Sequence, residues 1–118
     1  ARYAARAASF LASPDVVAAA AAVARMRDLF EHALRVDDRM CLCGLFGAER
    51  DALPPPVDAQ VAAFFRMLLA YLDAAFARTP DYAGPPAPAV VAQLEGALIL
   101  ARTLRDPALF DAATEAMA

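Results

Sequence analysis

Residues 90–104, VVAQLEGALILARTL, make one unbroken helical pattern with small or apolar residues on nearly every side. A helix with no wet face cannot lie on the surface of a small monomer. Asp106-Pro107 then opens a second short apolar helix that runs to the end of the chain. Together the two helices predict contact with a second copy of the protein. Val91, Leu94, Leu98 and Ala101 form the core side of the first. Ala89, Ala92, Gly96, Ile99 and Thr103 form a track of small residues that another helix can approach closely. With Leu109, Phe110 and Ala113 of the last helix, the track predicts a twofold interface, two helices from each subunit, closing as a four-helix bundle.

Outward from this pair the chain reads as all-α. Its 118 residues suffice for one domain with a real core and not for two. Apolar residues make up 61% and charged residues 21%, an apolar balance for a soluble domain. There are 33 alanines and no lysine, which favours helix, since alanine loses no side-chain entropy there. Proline divides the chain into about six helices: residues 2–12, 14–36, 39–53, 56–79, 88–104 and 107 onward. Ser13 is placed to cap the second helix, with Pro14 at its first position. Its inner stripe is Val16, Ala19, Val23, Met26, Phe30 and Ala33. Arg25, Asp28, His32 and Arg35 lie opposite, and Glu31 precedes Arg35 by four residues, the favourable order for an ion pair. Asp58 lies in the first turn of the helix at 56–79, where it favours the dipole. That helix carries Val57, Val61, Phe64, Leu68, Leu72 and Ala75 on one stripe and Phe65, Leu69 and Phe76 on another. No segment shows the period of two that marks a strand.

Charge and motif exclude several functions. A net charge of −3 without a basic stripe gives no grip on a phosphate backbone. No apolar run approaches the roughly 20 residues of a membrane span, and the expectation is a chain without a secretory leader. Two cysteines without a disulfide framework fit a reducing cytoplasm. Cys41 and Cys43 are two apart on a helix, about 200° around its axis, so they cannot chelate one ion. One histidine, His32, makes a zinc site implausible. No hydroxyl has a histidine at triad spacing, and no glycine-rich phosphate loop exists. The expectation is a non-enzyme without metal or cofactor.

The helix at 39–53 is unusual. Gly44 and Gly47 each cost about 1 kcal/mol there relative to alanine. Its buried stripe, Leu42, Leu45, Phe46, Glu49 and Leu53, includes a carboxylate. Glu49 either reaches the rim to pair with an arginine or serves as a polar anchor inside an apolar cavity. The glycines, with the large side chains of the next helix, suit a cavity between helices.

Three stretches, MCLCGLFGAERDALPPPV (40–57), AAFFRMLLAYLDAAF (62–76) and VAQLEGALILARTLRDPALFDAA (91–113), resemble the C-terminal regulatory domain of TetR-type transcriptional regulators. The match rests on residues 41–49 leading into 54–57, and on Glu95-Gly96-Ala97 followed by Ala101-Arg102 and Asp106-Pro107. With the helix order it spans nearly the whole chain. The resemblance implies an all-α domain that dimerises through its last two helices and holds an effector among the others. It also implies an N-terminal helix-turn-helix that binds operator DNA, which this chain lacks. Residues 1–12 read as the end of the helix joining that head to the body. The expected pocket for a small, largely apolar effector comprises Phe30, Phe46, Glu49, Phe64, Leu68 and Tyr71. Phe46 and Phe64 would be its walls, and Glu49 and Tyr71 its polar anchors. A helical interaction module with a solid core is the alternative.

Overall fold

The computed structural model describes residues 18–35 and 55–117, except the side chains of Val57 and Asp58. Among the described residues the fold is all-α, without strands. Four helices follow in order: α1 (Ala19–Arg35), α2 (Pro55–Ala77), α3 (Ala87–Thr103) and α4 (Ala108–Thr114), with a final 3-10 turn at Glu115–Met117. The helices expected at 2–12 and 39–53 lie outside the described residues. So do the Ser13 cap and the 39–53 residues singled out above, Phe46 and Glu49 among them.

The stripes meet as their periodicity predicts. Met26 and Phe30 of α1, Phe64, Leu68 and Leu72 of α2, and Val90, Leu94 and Leu98 of α3 share one buried cluster. Helices α1, α2 and α3 pack against one another, and α4 folds back on α3. Truncating any of these buried leucines to alanine costs about 2–5 kcal/mol by general experience with such cavities.

Side chains fix the helix ends. Thr79, just past α2, accepts a hydrogen bond from the Ala19 amide at 2.9 Å and donates to the Ala75 carbonyl at 3.1 Å. The start of α1 is thereby tied to the end of α2. In the following loop the Tyr82 ring stacks on Phe76 at 4.2 Å, and its hydroxyl donates to the Pro85 carbonyl at 2.6 Å. A Cβ at Gly84 would lie 2.6–2.8 Å from that tyrosine ring, so the clasp closes only over glycine. Pro86 stands at the N-cap of α3 and Pro88 in its first turn, where backbone amides lack helical partners in any case. Asp106 accepts from the Ala108 amide at 3.1 Å, but the N-cap of α4 is Pro107 and its helical residues begin at Ala108, one position later than anticipated.

One stretch qualifies the expectation that nothing here is long enough for a membrane. Ala59–Ala77 passes by length and composition, with a mean hydropathy of 1.3 over 19 residues. Its pattern is two-sided, however. Val61, Phe64, Leu68, Leu72 and Ala75 are buried in the protein, while Arg66 and Asp73 are exposed. Each such charge costs about 2.5–3.5 kcal/mol at the centre of a bilayer. The pattern is that of a helix with one face on a protein core.

Arg27 is the polar tie between α1 and α4. Its Nε donates to Thr114 Oγ1 at 2.9 Å, and its other nitrogens reach Glu31 and Asp111, each at 3.1 Å. Its guanidinium also lies 5.5 Å from the centre of the Phe110 ring. The expected Glu31–Arg35 pair forms at 3.2 Å, with the Arg35 side chain 48% exposed against 15% for Arg27. Exposed pairs contribute little, whereas a shielded guanidinium with several partners contributes more. Arg27→Ala is expected to cost about 2 kcal/mol in urea unfolding. Arg35→Ala is expected to cost under about 0.5 kcal/mol. Equal effects would remove Arg27 as the tie.

Candidate functional site

Two places have functional potential: the interior, and the outer face of α3 with α4. In the interior the structure gathers four of the six expected pocket residues. Phe30, Phe64 and Leu68 are fully buried in the shared cluster, and Tyr71 packs against it. Phe65 meets Phe64 edge-on, with ring centres 5.7 Å apart. The Tyr71 hydroxyl is buried and has no hydrogen-bond partner among the described residues. Burial pushes its pKa upward, and the positive charges of Arg25 and Arg78 oppose that rise. A buried phenol oxygen without a hydrogen-bond partner loses its hydration uncompensated, unless another group arrives to meet it.

The buried carboxylate that the structure describes belongs to Glu95, a residue not expected at the site. It is 9% exposed, and neither carboxylate oxygen has a partner among the described residues. Desolvation lifts its pKa to about 7. Sequence reading missed it because Glu95 sits at the margin of the α3 stripe, one position past Leu94. Only a three-dimensional neighbour can turn such a margin inward.

The raised pKa has a definite sign. An unfolded Glu95 releases its proton near the ordinary glutamate value, while the folded one keeps it until about pH 7. Between those values the folded state binds more protons, so its stability falls as pH rises, then levels off. The fall amounts to about 3 kcal/mol at full effect. Glu95→Gln is therefore expected to flatten the pH dependence of urea unfolding between pH 5 and 7 and to stabilise the protein at pH 8. A variant with unchanged pH dependence would show that Glu95 is ionised throughout.

The outer face of α3 is uncharged at every exposed position. Ala89, Ala92, Gly96 and Leu100 lie there, with Leu100 51% exposed. Thr103 is also exposed, and the amide of Gln93 donates to the Ala113 carbonyl at 2.9 Å. Leu104, just beyond the helix, is 61% exposed. Of the residues expected at the interface, Ala92, Gly96 and Thr103 are exposed, and Ile99, Leu109 and Ala113 are half-buried. Phe110 is a correction: it is fully buried in the chain's own core, beneath Arg27. The short α4 has to seat its one large aromatic against α1 and α3 to hold its place.

A cleft of about 330 Å³ also opens where α3 ends, lined by Leu34, Ala101, Arg102, Arg105 and Pro107. None of its residues was expected at a site.

Comparison with known protein families, with curated proteins and with solved structures returns no match to this chain. The likeness to TetR-type regulatory domains therefore stands on the motifs in the sequence alone.

Proposed function

We propose that this chain is the dimerising, effector-binding domain of a cytoplasmic transcriptional regulator, acting on operator DNA through an N-terminal head outside this sequence. The observation that carries the reading is the uncharged outer face of α3. Solvent-facing helix surfaces normally carry charge, and a helix apolar on both sides serves two packing partners. One is the protomer core; the other is a second copy, twofold related, with the small track of Ala92 and Gly96 setting a close approach.

The effector half of the proposal is supported by the interior. The Tyr71 hydroxyl is buried and lacks a partner among the described residues. A ligand bearing one polar group on an apolar body would satisfy it. Such a ligand acts by binding one arrangement of the helices better than another, since only that difference shifts an equilibrium. Tilting α1 through its Arg27 tie to α4 would change the spacing of the two DNA-binding heads. Half-sites lie about one DNA turn apart, so small displacements matter. A solid-core interaction module is the second reading, favoured by the complete burial of Phe30, Phe64 and Leu68.

Two experiments test these halves. A Cβ built at Gly96 meets nothing within 4 Å in the protomer. Gly96→Arg is thus expected to leave the protomer folded and to abolish the dimer, seen by light scattering with unchanged circular dichroism. A dimer that persists would place the interface elsewhere. For the effector, Phe64→Ala is a poor probe, because emptying that core position costs about 3–5 kcal/mol. Tyr71→Phe deletes one unpartnered oxygen instead. It is expected to be neutral or slightly stabilising, while a small molecule retained by the wild type in native mass spectrometry is lost. Retention of no molecule by either protein would favour the solid-core module.

A further inference from the structure

We draw no further inference here: the strongest candidate, the buried carboxylate of Glu95 on the flank of α3, belongs to the interior already described, and nothing among the described residues shows what group would meet its unpartnered oxygens.

Discussion

Helix α3 buries one apolar side in the core, and among the described residues nothing covers its other, uncharged side. Its inner stripe of Val90, Val91, Leu94, Leu98 and Ala101 packs against α1 and α2, with α4 folded along its flank. Everything described in the protomer is arranged around that stripe: the α2 aromatics that meet it, the Thr79 tie that sets α1 against α2, and the Arg27 tie that holds α4. The outer arc, centred on Gly96, is left facing solvent without a charge. Large exposed apolar patches commonly mark interaction surfaces, and the proposed dimer takes this arc as its interface.

The two polar features of the interior follow from the same crowding. Glu95 lies at the edge of the buried arc, so packing strips water from its carboxylate and favours the protonated form near neutral pH. Tyr71 packs against the cluster from α2, with its hydroxyl unpartnered among the described residues. Both groups cost stability as they stand. Proteins retain such costs where a site needs them, and the regulator proposal gives the Tyr71 hydroxyl a use.

Much of the fold was legible in the sequence because it depends on local periodicity. The stripes Val61–Phe64–Leu68–Leu72–Ala75 and Val91–Leu94–Leu98–Ala101 are buried as read, and so are Ala19, Val23, Met26, Phe30 and Ala33. The Glu31–Arg35 pair, four residues apart, was equally local. What escaped depends on contacts distant in the chain. Arg27 reaches Thr114 across 87 positions, and nothing in α1 alone distinguishes it from Arg25. Phe110 was assigned to the outer face because a helix of seven residues has too few positions to define its inner side. Arg105 was unremarked because a left-handed turn is read from glycine, and here arginine occupies it. Of the expected pocket, Phe46 and Glu49 lie outside the described residues, so the interior rests on Phe30, Phe64, Leu68 and Tyr71.

Solution mass tests the idea of a helix shared between subunits most directly. Sedimentation equilibrium of the unaltered chain over a wide concentration range should return twice the protomer mass of 12.5 kDa, with dissociation only on dilution. A single 12.5 kDa species, soluble and stable at high concentration, would show that the apolar arc of α3 needs no partner and would contradict the account.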